Sequence, residues 1–142
     1  MKIKVLLADD EKDFAETLAE RLTLRNFAVT AVFSGESALE LIKEVDFDVI
    51  ILDVLMPGLT GIELLKEIKN IKPLAQVIML TGAATVNNAI AGMKLGAFDF
   101  LMKPADTDVL EEKIKEAHDI KVRHEDRIRQ AEIENILKQR GW

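Results

Sequence analysis

Asp48-Val49-Ile50-Ile51-Leu52-Asp53, running on into Val54-Leu55-Met56-Pro57-Gly58, is the stretch on which the fold turns. Val49 to Leu52 is a short, unbroken apolar run rich in β-branched residues, as a parallel strand covered on both faces requires. Pro57-Gly58 then supplies a turn. The carboxylate of Asp53 therefore emerges where a buried strand stops. Three other apolar runs end in the same manner. Ile3 to Ala8 runs into Asp9 and Asp10, Gln76 to Leu80 into Thr81-Gly82, and Phe98 to Met102 into Lys103-Pro104. Four strand ends converge on one pocket.

Between these runs the apolar period changes from continuous to helical. From Lys12 to Arg25, Phe14, Ala15, Leu18, Ala19 and Leu22 recur at three- and four-residue steps, giving a helix with one core face that Asn26 ends. Ala28 to Phe33 is a second strand. Ser34 then caps a helix on Ala38, Leu39, Leu41 and Ile42. Gly61 precedes a third helix on Ile62, Leu64, Leu65 and Ile68, closed by Pro73. A weaker fourth runs over Val86, Ala89, Ile90 and Met93 to Gly96, a left-handed C-cap. Asp106 caps a fifth on Val109, Leu110, Ile114 and Ala117. Five strands alternating with five helices imply an α/β, doubly wound five-stranded parallel sheet with right-handed crossovers and helices on both faces. Functional groups in such sheets lie beyond the carboxyl ends of the strands, near the point where strand order reverses.

Composition narrows the function. The 142 residues fit one domain, with residues 1–118 as its body and 119–142 as a charged helical extension. A net charge of -6 argues against a nucleic-acid surface supplied by the fold. The body carries 13 Lys+Arg against 20 Asp+Glu and the extension 6 against 5, so the acidity belongs to the body. No apolar run approaches a membrane span, and the chain's start turns acidic too early for a signal peptide. A cytoplasmic protein is expected. The absence of cysteine rules out disulfides and thiolate chemistry.

Asp9, Asp10 and Asp53 cannot crowd together without a cation, because like charges raise one another's pKa. An all-oxygen ligand set suits Mg²⁺, which accepts one or two carboxylates plus a phosphate. With Lys103 alongside, the pocket suits a phosphoryl group, and Asp is itself a nucleophile in phosphoryl transfer. Taken singly, each residue has a plainer role. Asp9 and Asp10 suit a helix cap, Asp53 a turn, Thr81 a strand-end hydroxyl, Lys103 a solvated surface and Phe100 the core. Their joint placement at successive strand ends decides for a site.

Ala8-Asp9-Asp10, Asp53 with Met56-Pro57-Gly58 and Gly61, Leu80-Thr81-Gly82, and Phe98-Asp99-Phe100-Leu101-Met102-Lys103-Pro104 together resemble the motif set of receiver domains of two-component response regulators, in order and register over about residues 3 to 118. The resemblance implies a flavodoxin-like sheet in the order 2-1-3-4-5, and that Asp53 accepts a phosphoryl group from a sensor histidine kinase or a histidine phosphotransfer protein. It implies Mg²⁺ held by Asp10, Asp53 and the Leu55 backbone carbonyl, with Asp9 acting through water. It implies that Lys103 pairs with the phosphate, that the peptide before Pro104 is cis, and that Thr81 and Phe100 form a switch pair. That pair would reshape the face made by the fourth helix, fifth strand and fifth helix. Phe at position 100 lacks a tyrosyl hydroxyl, and Gly82 stands where many members carry Ala. The family's chemistry assists its own phosphorylation and dephosphorylation and is not turnover on an external substrate.

Two rival readings are weaker. An aspartyl-phosphate phosphatase expects its nucleophile and a second Asp two residues on, both after the first strand. A purely structural receiver would have lost one of the residues named, and none is lost. After residue 118 the chain leaves 24 residues, too few for a helix-turn-helix domain. The expectation is a stand-alone receiver whose tail, an unbroken continuation of the fifth helix, dimerises or docks. The alternative is a fragment of a larger transcription regulator. Homodimerisation through that helix or through the fourth helix–fifth strand–fifth helix face is expected, and the downstream target is unread. Trp142 is either a partner anchor or a frayed end.

Overall fold

The computed structural model describes residues 1–82 and 86–141, apart from the side chain of Val86. The parts expected of that side chain and of Trp142 therefore lie outside the described residues. The elements alternate as β1 (Lys4–Ala8), α1 (Lys12–Leu24), β2 (Ala28–Val32), α2 (Gly35–Glu44), β3 (Val49–Leu52), α3 (Gly61–Ile71), β4 (Gln76–Thr81), α4 (Val86–Lys94), β5 (Asp99–Met102) and α5 (Thr107–Gln139). The sheet is parallel throughout, in the order β2-β1-β3-β4-β5, as the sequence predicts.

The uninterrupted apolar runs are explained by two cores, one on each face. Leu6, Ala8, Ile50, Leu52, Val77 and Met79 pack with Ala38 and Ile42 of α2 and with Leu64, Leu65 and Ile68 of α3. Their sequence neighbours Val5, Leu7, Val49, Ile51, Ile78 and Leu80 point the other way, onto Ala15, Leu18 and Leu22 of α1 and Leu110, Ile114 and Ala117 of α5. Every residue of β3 and β4 is buried. Strands buried on both faces keep no polar alternation, because neither face meets water.

Local signals set the element ends. Ser34 accepts from the Ser37 N–H and Asp106 from the Asp108 N–H, the two caps the sequence predicts. Thr60, not anticipated, caps α3 by accepting from the Glu63 N–H. Asn26 ends α1 at φ 75° and Gly96 follows α4 at φ 99°. The predicted first, second and fifth strands are one residue longer than observed, and the fourth is one residue shorter. Ile3 and Phe98 still engage their neighbours, since the Ala28 N–H donates to Ile3 O at 3.0 Å and the Phe98 N–H to Val77 O at 2.7 Å.

Helix α5 continues unbroken to Gln139, and Gly141 follows it at φ 74°. Its last buried side chain is Lys121. The Lys121 ammonium donates to Asp48 Oδ1 at 3.0 Å, and Asp48 Oδ2 accepts from the Lys4 N–H at 2.8 Å. One carboxylate thus ties α5 to the starts of β1 and β3. Residues 126–141 are all exposed. Among the described residues, no helix is long and apolar enough to cross a membrane.

Candidate functional site

Strand order reverses at β1, which has β2 on one side and β3 on the other, and the acids emerge beside that reversal. The Asp9 N–H bonds Val32 O at 3.1 Å and the Asp53 N–H bonds Ala8 O at 3.0 Å, so the backbone of both residues is still held by the sheet as the strands end. Asp9 and Asp53 are buried, while Asp10 faces solvent. One carboxylate oxygen from each lies within 4.8 Å of the others.

Lys103 enters from the end of β5. Its N–H donates to Thr81 O at 2.9 Å, which places it beside the buried end of β4. The ammonium lies 2.6 Å from Asp9 Oδ2, 2.8 Å from Glu11 Oε1 and 3.2 Å from Asp53 Oδ2. The Phe14 ring, its centroid 4.4 Å away, supports it from α1. The side chain is 9% exposed, so the plainer reading of Lys103 as a solvated surface residue does not hold.

Charge explains why these groups stay together. Burial pushes the Asp9 carboxyl above its ordinary pKa; hydrogen bonds from Lys103 and the Glu11 N–H, with the lysine charge, pull it back, and the Asp53 charge pushes it up again. Burial alone would lower the Lys103 pKa, but its contacts with Asp9, Glu11 and Asp53 outweigh that and raise it. Four carboxylates crowd the pocket, and Lys103 is the cation touching three of them among the described residues. The pocket therefore keeps a negative excess and an all-oxygen donor set, which fits a hard divalent cation.

The loop after β3 is held as firmly as the strand. Asp53 Oδ1 accepts from the Leu55 N–H at 3.2 Å, which leaves Oδ2 towards Lys103. A side chain at Gly61 would drive into Asp53 O and Val54 Cα, so α3 starts against the backbone that carries the acid. Glu36 Oε1 accepts from the Leu59 N–H at 2.9 Å and anchors the loop to α2. Thr81 is buried at the end of β4. Phe100, the cross-strand partner of Met79, is half-buried against the α2–α3 core. The Lys103–Pro104 peptide is cis, as the resemblance implies.

The structure thus brings Asp9, Asp10, Asp53 and Lys103 together, with Leu55 and Thr81 at the margin and Phe100 further along β5. Sequence reading missed Glu11, the use of Phe14 as a platform, and Glu36. The spacing Asp9-Asp10-Glu11 was visible, but a third consecutive acid reads equally well as a helix start.

The fold and site together define the flavodoxin-like class whose functional groups gather at the switch point beside the first strand. Residues 5–115 match the family described as "Response regulator receiver domain", and the chain belongs to it. It is 35% identical over 116 residues to the transcriptional regulatory protein ZraR of Salmonella typhimurium, covering 82% of this chain and 26% of that one. A Francisella response regulator 1452 receiver domain superposes with TM-score 0.78 at 35% identity, covering 83% and 98% of the two chains. A CheY-like receiver domain protein from Methanospirillum hungatei does so with TM-score 0.84 at 27% identity, covering 87% and 99%. The chain spans about a quarter of the length of curated relatives such as ZraR.

Proposed function

We propose that this protein is a phosphorelay switch in which Asp53 accepts a phosphoryl group from a sensor histidine kinase or a histidine phosphotransfer protein in the cytoplasm. The observation that carries this reading is Lys103 Nζ bridging Asp9 Oδ2 and Asp53 Oδ2 at 2.6 and 3.2 Å at a buried switch-point pocket. A carboxylate oxygen of Asp53 attacks the phosphorus of the phosphohistidine. The P–N bond breaks and its electron pair leaves with the imidazole, which takes a proton from solvent. Asp53 becomes an acyl phosphate.

Positioning and charge neutralisation do most of the work in such a transfer. The Leu55 N–H fixes one oxygen of Asp53, so the carboxylate meets the donor in one orientation. Lys103 is placed to donate to the arriving phosphoryl oxygens. Asp10 and Asp53, the Leu55 carbonyl, and Asp9 through water would hold Mg²⁺, which supplies neutralisation of the negative charge on the transferred group when bound. The protein assists its own phosphorylation and dephosphorylation and is not a turnover enzyme.

Phosphorylation adds about -1.5 to -2 charge at Asp53. The Thr81 hydroxyl moves towards it, Phe100 turns further inward, and the α4–β5–α5 face changes shape by population shift. That face presents Ile90, Met93, Met102 and Val109, all exposed, to a protein target. It and the exposed part of α5 are the two surfaces for homodimerisation, with residues 1–118 as the receiver and 119–142 as its extension. A small phosphodonor with Mg²⁺ labels the wild-type protein, and Asp53→Asn abolishes the label. Equal labelling of the variant would sink the assignment.

A further inference from the structure

From the grip on Lys103, we infer that Glu11 is a positioning residue that competes with the phosphoryl group for the Lys103 ammonium and thereby holds the protein back from phosphorylation. The inference rests on the reading of Asp53 as phosphoacceptor. An ammonium has three protons. Those of Lys103 face three carboxylates, Asp9 at 2.6 Å, Glu11 at 2.8 Å and Asp53 at 3.2 Å, with the Phe14 ring at 4.4 Å as a further wall. No donor is left over for an arriving phosphoryl oxygen. One bond has to be released.

The three bonds differ in how easily they yield. Asp9 throughout, and Asp53 until the P–O bond forms, keep a carboxylate charge on side chains 2% and 5% exposed, and stripping either of its cation before transfer leaves that charge in a dry pocket. The Glu11 side chain is 64% exposed, so its carboxylate returns to water when it lets go. Glu11 is therefore the partner the phosphoryl group displaces.

The local structure of α1 points the same way. Glu11 occupies the N-cap position, where Ser, Thr, Asp and Asn are favoured because their short side chains cap the helix. It makes no side-chain cap bond there. Its carboxylate reaches across to the end of β5 instead, linking residues 92 apart in the chain. A residue that forgoes the local bond and spans two elements acts on what it reaches.

The test compares the full-length wild type with Glu11→Gln and Asp13→Asn. Asp13 is an exposed acid in the first turn of α1 that makes no ion pair with Lys103, so its variant removes one nearby charge without freeing the ammonium. The probe is beryllium trifluoride with Mg²⁺, its affinity read by titration, alongside labelling rates with phosphoramidate. Glu11→Gln should bind the probe about two- to five-fold more tightly and label correspondingly faster, the range set by exposed ion pairs. Asp13→Asn should match the wild type. Unchanged or weaker binding by Glu11→Gln overturns the inference, and so does an equal gain from Asp13→Asn, which would indicate bulk charge. If the wild type itself takes no label, the fault lies with Asp53 as acceptor and not with Glu11.

Discussion

Gly61 and Gly92 both lie in helices, and replacing each with alanine should move stability in opposite directions. Intrinsic preference alone says both changes help, since Gly costs about 0.5–1 kcal/mol relative to Ala inside a helix. The surroundings separate them. At Gly92, in the interior of α4, a Cβ would lie 3.6 Å from Met79 Cγ, 3.9 Å from Phe100 Cδ2 and 4.0 Å from Ala97 Cβ, all ordinary contacts. At Gly61 it would collide with Asp53 O and Val54 Cα, and backbone cannot swing aside as a side chain can. Gly61 is also the first residue of α3, and its N–H donates to Val54 O at 3.0 Å, so the helix start cannot retreat without breaking that bond. Overpacking costs about 1–3 kcal/mol, which exceeds any gain in preference at a helix end. Gly92→Ala should therefore stabilise by about 0.5–1 kcal/mol and Gly61→Ala destabilise by about 1–3 kcal/mol. Urea unfolding followed by circular dichroism separates the two, with m unchanged for Gly92→Ala. Because the clash pushes on the peptide of Asp53, Gly61→Ala should also lose phosphoryl labelling under conditions where it is folded. A Gly61→Ala midpoint at or above the wild type would refute the reasoning.

Two further outcomes follow from side chains that fasten elements together. Lys121→Ala removes the ion pair to Asp48 and should destabilise by about 1–3 kcal/mol, short of a fully buried pair because Asp48 keeps the Lys4 N–H; the urea midpoint of the full chain checks this, and an unchanged midpoint contradicts it. The Glu36 carboxyl is held below its ordinary pKa by the Leu59 N–H and its own N–H. A carboxyl whose folded pKa is depressed contributes stability above its unfolded pKa of about 4.3, lost as pH falls through the lower folded value. Thermal midpoints measured between about pH 5 and 3 should fall less steeply for Glu36→Gln than for the wild type, and parallel curves would show that the loop anchor carries no such linkage.

The fold was legible because its signals are local and repeated. Val49–Leu52, Gln76–Leu80 and Ile3–Ala8 carry no polar alternation, and only a sheet covered on both faces tolerates three such runs. The strand-end acids and Lys103 could be read for the same reason, since a residue that closes a buried run has its direction set by the run. What could not be read depends on reach across the fold. Nothing near Glu11 in the chain indicates Lys103, which meets it only because β1 and β5 end on the same side of the sheet. Nothing near Glu36 indicates Leu59, and Phe14 fits the α1 core stripe equally well whether or not an ammonium lies on its ring. Lys121 looked like one of the charges of the extension. It is instead the last anchor of α5 on the sheet, a role set by Asp48 more than seventy residues earlier.

That anchor bears on how a signal would leave the pocket. From Lys103 the chain passes through Pro104 and Ala105 to Asp106, the cap of α5, so Lys103 and that cap are separated by two residues. Helix α5 then runs 33 residues, about 50 Å at 1.5 Å per residue. Its first part is fixed by Leu110, Ile114 and Ala117 in the core and, at the opposite end of the sheet from the pocket, by Lys121 on Asp48. From residue 126 onward the helix is exposed throughout. Under the proposed switch, a shift of Lys103 towards a phosphoryl group pulls on one end of the packed segment while Lys121 holds the other as a pivot. A tilt of about 5° would carry the helix tip roughly 2 Å over the length of about 27 Å from Lys121 to Gln139. The Lys121–Asp48 pair should thus govern the response of the exposed helix, while phosphoryl chemistry at Asp53 proceeds without it.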